Sequence, residues 1–300
     1  MLYLCQKNYQ IIMLNAIVWD FEPTLFGFIR WYSLLFALAF VAGYVILQKV
    51  VFQKENIPNS YLDKLSVYVF LGVLIGARLG HCLFYEPGYY LNHIVEMLLP
   101  IAQTPDGWKF VGYQGLASHG GAIGIIIAIW LFARKTKLNM FWTLDRLVII
   151  VALAGLFIRL GNLCNSEIYG VATNSNWGFI FVRNGETIAK HPTQLYEAIA
   201  YFITFIILLF IYIKSNRKVV PGRLFSLFLI LAFTSRLIIE NWKEVQEAWE
   251  ANMILNMGQI LSIPFIIIGV VILILGFLGK TGKPLDVSKV IETHKKINKK

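Results

Sequence analysis

Five arginines lie within or at the edge of apolar runs in this 300-residue chain: Arg30, Arg78, Arg146, Arg159 and Arg236. An arginine at mid-bilayer costs about 2.5–3.5 kcal/mol on insertion scales, so such residues usually face a protein interior and keep a partner there. Arg236 and Glu240 are i, i+4 and share a helix face. Arg78, His81, Cys82 and Tyr85 form one stripe, and Gly155, Arg159 and Asn162 form another. His119 stands among Gly115, Gly120, Gly121 and Gly124, small residues that leave room beside an imidazole. Guanidinium forks match phosphate oxygens bidentately, and histidine is the usual general base near neutral pH. No serine stands in a G-x-S-x-G elbow, and no H-E-x-x-H or carboxylate cluster offers metal ligands. The cysteines (Cys5, Cys82, Cys164) are odd in number and irregularly spaced, so no disulfide framework or metal motif follows. What remains is direct displacement on a phospholipid, with arginines holding the phosphate and no metal or other cofactor.

The elements that must position these residues are membrane spans. The chain is 57% hydrophobic and 15% charged, against about 25% charged in an average soluble domain. That excludes a soluble globule, a disordered chain and a fibrous repeat, and leaves an all-α integral membrane protein. Seven stretches are long and apolar enough to span: 26–48, 65–85, 115–133, 141–161, 194–213, 224–241 and 258–279. Alternate connections, with the 280–300 tail, hold 17 Lys and Arg on one side and five on the other. The positive-inside rule then puts the N-terminus outside and the C-terminus in the cytoplasm. The net charge of +10 is thereby absorbed by topology, and no nucleic-acid partner is expected. Lys295, Lys296, Lys299 and Lys300 read as a solvated anchor near anionic lipid. Residues 1–12 lack the pattern of a cleavable signal peptide, and Met13 is an alternative start. The expected organisation is an extension over 1–12, one transmembrane catalytic domain over 13–279 and a basic cytoplasmic tail over 280–300. The 86–114 and 162–193 loops form a small external cap, with Tyr89–Leu99 as a short interfacial helix.

Four of the arginines (Arg30, Arg78, Arg159, Arg236) and three histidines (His81, His119, His191) then share one level, the outer leaflet. Asp145 and Arg146 alone sit at an inner end, where Asp145 suits the first turn of a helix. Residue types and depth together indicate a membrane enzyme or a transporter with an outer-leaflet anion site. The alternative to the enzyme is an outer-leaflet anion or lipid transporter. The inner halves of the spans are almost purely apolar, which argues against a through path.

At these residues the chain resembles the prolipoprotein diacylglyceryl transferase family. The segments are Arg30-Trp31-Tyr32, Gly115 to Gly121 (G-L-A-S-H-G-G), Arg159 to Gly170 (R-L-G-N-L-C-N-S-E-I-Y-G), His191 to Glu197 (H-P-T-Q-L-Y-E), Arg236 with Glu240, and Asn256 to Gln259 (N-M-G-Q). The third and fourth are specific. Departures are Ile158 before the signature arginine, Leu163-Cys164 at its aromatic position, and Ala232 one turn before Arg236.

The resemblance implies transfer of diacylglycerol from phosphatidylglycerol to the lipobox cysteine of a lipoprotein precursor, in the bacterial inner membrane. It implies His119 as base, and Arg159 and Arg236 as phosphate ligands. Asn162, Glu167 and Gly170 would shape the headgroup pocket, Glu240 would orient Arg236, and Tyr32 would line the lipid site. His191 joins the substrate-binding set.

Overall fold

The computed structural model describes residues 16–105, 107–110, 117–244 and 253–283, with 285, 286, 288, 290 and 292. The 1–12 extension, Met13, Tyr113, Gly115, Lys295, Lys296, Lys299 and Lys300 lie outside the described residues, as do the side chains of Ser118 and His119.

The described chain is mostly helical. Its long helices are α1 (Trp31–Ile46), α2 (Asn59–Phe84), α5 (Ser118–Thr136), α6 (Met140–Cys164), α7 (Thr193–Lys214), α8 (Arg223–Ile239) and α9 (Met257–Phe277). The short α3 (Pro87–Tyr90) and α4 (Ile94–Leu98) lie between α2 and α5. Among the described residues, six helical stretches are long and apolar enough to cross a membrane: Trp31–Phe52, Asn59–Phe84, Met140–Cys164, Thr193–Lys214, Arg223–Trp242 and Met257–Phe277. The chain is a multi-pass membrane protein. Phe40, Val41, Phe210, Ile267 and Val271 stand exposed along these helices, as lipid-facing residues must. The expected third span falls on α5, which is 19 residues long. Polar ends, Ser118-His119 and Arg134-Lys135-Thr136, shorten its apolar stretch, and it is not among the six.

The first span begins at Trp31 rather than residue 26, because Thr24–Leu25 (β2) and Ile29–Arg30 (β3) form an antiparallel hairpin ahead of it. Tyr89–Leu99 is two helical turns, α3 and α4, and not one helix. A second antiparallel pair follows, β4 (Ile101–Thr104) with β5 (Gly107–Phe110). In the 162–193 loop, β6 (Phe179–Phe181) pairs in parallel with β1 (Ile17–Trp19).

Two compact units divide the chain. The first holds residues 1–47 and 145–284, the second 48–144 and 285–300.

Glycine stripes define the second unit. Gly72, Gly76 and Gly80 on α2 meet Gly120 and Gly124 on α5. A Cβ on Gly124 would strike the Gly72 carbonyl oxygen, and one on Gly120 that of Gly76. The glycine hydrogens that replace those side chains point at backbone oxygens, the geometry of Cα–H···O contacts. Lipid tails are as apolar as leucine, so close backbone packing, not exclusion of water, joins such helices.

In the first unit, Asp145 ties two helices. Its carboxylate accepts from the backbone N–H groups of Gly222 and Phe225, both at 2.8 Å. It therefore caps the start of α8 and not the start of its own helix, which begins earlier and is capped by Asn139. Arg146 beside it donates to the Arg217 carbonyl at 3.3 Å. Near the β1–β6 pair, Leu163, Phe179 and Phe181 form a core with Trp19, Tyr169 and Leu195 against it.

Gly124→Ala forces α2 and α5 apart and is expected to cost about 1–3 kcal/mol. Gly121, where the nearest heavy atom to an added Cβ is 3.6 Å away, tolerates alanine with a change within about 0.5 kcal/mol. Thermal unfolding of both variants in detergent checks the pair.

Candidate active site

The C-terminal turns of α6 carry Arg159 and Asn162 on one face. The Arg159 guanidinium donates to Asn162 Oδ1 at 3.2 Å, and Asn162 Nδ2 donates to Glu167 Oε1 at 2.8 Å. Asn165 Nδ2 donates to the same Glu167 oxygen at 3.2 Å. The loop after α6 is strained, with Ser166 and Ile168 in left-handed conformation (φ 55° and 61°). A β-branched residue is an outlier there, and such strain persists only where the surroundings over-determine it.

The H-P-T-Q-L-Y-E segment supplies that determination, residue by residue. Thr193 Oγ1 donates to the Ile168 carbonyl at 3.0 Å, and Gln194 Nε2 to the Glu167 carbonyl at 2.7 Å. Leu195 packs on the Phe179–Phe181 core. The Tyr196 hydroxyl lies 3.1 Å from His191 Nδ1. Burial pushes the His191 pKa below its ordinary value, so its ring is neutral at pH 7. Gly170 is glycine because three segments meet on it: a Cβ there would strike the Trp242 carbonyl oxygen, His191 Cβ and Thr193 Cγ2.

Glu197 ends the segment and is the centre of the site. Its side chain is 1% exposed and lies 2.7 Å from Arg159 Nε and 2.9 Å from Lys243 Nζ. Lys243 is 4% exposed and also meets Glu240 Oε2 at 3.4 Å. Glu240 in turn lies 4.0 Å from Arg236 Nε. The result is an alternating chain of charges, Arg159–Glu197–Lys243–Glu240–Arg236, with one cation in excess. The Tyr201 ring fills the space left by Gly155, one turn before Arg159 on α6. A 3₁₀ turn at Glu240–Trp242 breaks the end of α8 and leaves Lys243 extended, where it bridges to Gly170.

The two arginines differ. Arg159 is 13% exposed, paired with Glu197 at Nε and with Asn162 at Nη1. Arg236 is 33% exposed, and among the described residues its terminal nitrogens carry no hydrogen bond. Glu240 rests on the first turn of α9, where a Cβ on Gly258 would strike its carboxyl group. A carboxylate at a helix N-terminus is stabilised by about 0.3–1 kcal/mol.

The structure thus brings together Arg159, Asn162, Glu167, Gly170, His191, Arg236 and Glu240. Tyr32 packs its ring on Gly161 of α6. Of the arginines expected at one level, Arg30 is exposed in β3 and stays out of the charge chain. Arg78, in the second unit, donates to the carbonyls of Glu96 at 2.6 Å and Met97 at 3.2 Å and stacks over Tyr90. That role holds α4 in place. His119 is the second residue of α5, and its side chain lies outside the described residues.

Glu197, Lys243, Tyr201 and Gln194 were not among the expected site residues. Glu197 and Gln194 were visible as polar residues inside the H-P-T-Q-L-Y-E segment. Lys243 carries no such signal, since in sequence it is one charge after a span and lies 46 residues from the carboxylate that buries it.

This is a multi-pass helical membrane protein with a buried ion chain that ends in an open guanidinium. It belongs to the prolipoprotein diacylglyceryl transferase family, whose model matches residues 23–275. It is 46% identical over 273 residues to the phosphatidylglycerol–prolipoprotein diacylglyceryl transferase of Bacteroides fragilis, covering 89% of this chain and 97% of that one. Relatives of the same name from Tolumonas auensis and Porphyromonas gingivalis are 44% identical over 262 residues and 43% over 276. They cover 86% of this chain each, and 96% and 94% of their own lengths.

Removing one partner of a buried ion pair leaves an uncompensated charge and costs about 3–5 kcal/mol. Lys243→Met is expected to lose that much, and Lys243→Arg much less. In a double-mutant cycle, Lys243→Met with Glu197→Gln loses less than the sum of the single changes. Unfolding in detergent at a fixed pH measures all of these variants.

Proposed function

We propose that this protein transfers the diacylglyceryl group of phosphatidylglycerol to the lipobox cysteine thiol of a lipoprotein precursor. A thioether forms and glycerol phosphate leaves. The observation that carries the reading is the open Arg236 fork at the end of a charge chain with one cation in excess. Family membership supports it, as do the relatives' names.

The chemistry follows from charge. The thiol sulfur attacks the glycerol carbon that bears the phosphate ester, and the carbon–oxygen bond breaks. The electron pair of that bond goes to the departing phosphate, whose negative charge grows along the reaction. Arg236 meets that growing charge with donors already in place, so its contribution is larger in the transition state than in the ground state. Arg159, held by Glu197 and Asn162, supplies a second fixed positive charge. Asn162, Glu167, Gly170, Tyr32 and His191 shape the headgroup and lipid pocket, and Glu240 orients Arg236. His119 takes the thiol proton, which sharpens the nucleophile.

The site works at the outer leaflet of the bacterial cytoplasmic membrane. Seven spans, α5 included, place the N-terminus outside and the basic 280–300 tail in the cytoplasm near anionic lipid. Residues 13–279 form the catalytic domain, and nucleic acid is not a partner.

Incubation with phosphatidylglycerol and a lipobox peptide is expected to add the mass of one diacylglycerol to the peptide. Arg236→Ala and Arg159→Ala each lower turnover by about 10²-fold or more, the scale for losing one preorganised donor. His119→Gln slows transfer at neutral pH. Wild-type turnover in both arginine variants would overturn the phosphate-clamp reading, and a wild-type rate for His119→Gln across pH would remove it as base.

A further inference from the structure

We infer that Gly258 is a positioning residue of the site: its missing side chain seats Glu240 on α9 and so keeps the Arg236 fork open for phosphate oxygens. This rests on the reading of Arg236 as a phosphate ligand.

Glu240 lies one helical turn from Arg236, where a carboxylate and a guanidinium ordinarily close into a bidentate pair. Here the closest approach is 4.0 Å, to Nε, too long for a hydrogen bond. Two things draw the carboxylate away. Lys243 Nζ is nearer, at 3.4 Å. The other is space on α9, where the Glu240 carboxyl group occupies the position that a side chain at 258 would take.

The first turn of α9 cannot retreat to make room. Asn256 caps it, accepting from the Gln259 N–H at 2.9 Å, while the Asn256 N–H donates to Gln259 Oε1 at 3.2 Å. Gln259 Nε2 then donates to Asn241 Oδ1 at 3.1 Å, and Asn256 Nδ2 to the Glu240 carbonyl at 3.4 Å. The turn is thereby tied to the backbone of Glu240 and the side chain of Asn241. A Cβ at 258 would meet the far end of the flexible Glu240 side chain, so the carboxylate is what moves. Among the described residues, the cations within 4 Å of it are Arg236 and Lys243, and Lys243 is already hydrogen-bonded to Glu197. The displaced carboxylate closes onto Arg236 and competes with the substrate phosphate.

The test is Gly258→Ala assayed with phosphatidylglycerol in mixed micelles and a lipobox peptide. KM for phosphatidylglycerol is expected to rise at least tenfold, with a smaller change in kcat and Tm within a few degrees of the parent. In Gly258→Ala/Glu240→Asp the shorter carboxylate clears the new methyl, and KM returns to that of Glu240→Asp alone. A parent-like KM in Gly258→Ala overturns the inference. Should Gly258→Ala fail to insert, the comparison of the double variant with Glu240→Asp decides, and a tenfold gap between them overturns it. Arg236→Ala separates the two readings. If that variant transfers normally, the phosphate reading fails; if it is inactive while Gly258→Ala keeps the parent KM, only the role of Gly258 falls.

Discussion

The arrangement of the first unit depends on one carboxylate. Glu197 is almost fully buried and lies between Arg159 of α6 and Lys243 beyond α8. Each charge in that interior is costly unless its partners are in place. In a membrane this constraint matters more than in water, because hydrophobic burial does not tell one apolar helix where to sit on another. Ion pairs have a required geometry, and leucine contacts do not. The register of α6, α7 and α8 is therefore set at Glu197, with Asp145 fixing α6 to the start of α8 at the other end.

The second unit meets the same problem without charges. Gly72, Gly76 and Gly80 interlock with Gly120 and Gly124, so that the two backbones touch along α2 and α5. Arg78 then spends its guanidinium on the carbonyls of the short α4. The arginines thus have different duties. Arg78 and, in the first unit, Arg146 hold backbone carbonyls, while Arg159 and Arg236 face carboxylates and leave one fork open.

Much of the helical framework was legible in the sequence. Apolar runs located the long helices, and α7 ends at Lys214 where its apolar run does, although the first span runs past Lys49 to Phe52. The runs could not show that residues 24–30 fold as a hairpin, since Phe26, Phe28 and Ile29 are as apolar as the helix that follows. The pairing Arg236–Glu240 was visible as an i, i+4 spacing, and Arg159–Asn162 as an i, i+3 spacing. Lys243 was not, because its partner Glu197 comes from a different helix and a positive charge near a span end reads equally well as solvated. The glycines around His119 suggested close packing, but their partners at Gly72, Gly76 and Gly80 became evident only when α2 and α5 were seen together. Hydropathy reports what a helix buries, while the site depends on contacts between residues far apart in sequence.

The parity of the charge chain links these features to the proposed chemistry. Two carboxylates separate three cations, so the chain ends in positive charge at both termini. At the Arg159 end that charge is answered by Asn162 and, through it, by Glu167, which the strained loop presents. At the Arg236 end it is answered, among the described residues, at 4.0 Å by a carboxylate that also serves Lys243 and rests on α9. Fully neutralised, Arg236 would be a structural residue like Arg78. Left without any carboxylate, it would lose the partner that steadies its orientation. A guanidinium that faces a carboxylate on its Nε side, with both terminal nitrogens unoccupied among the described residues, is preorganised for a planar pair of phosphate oxygens, and a phosphate is the anion that completes the alternation.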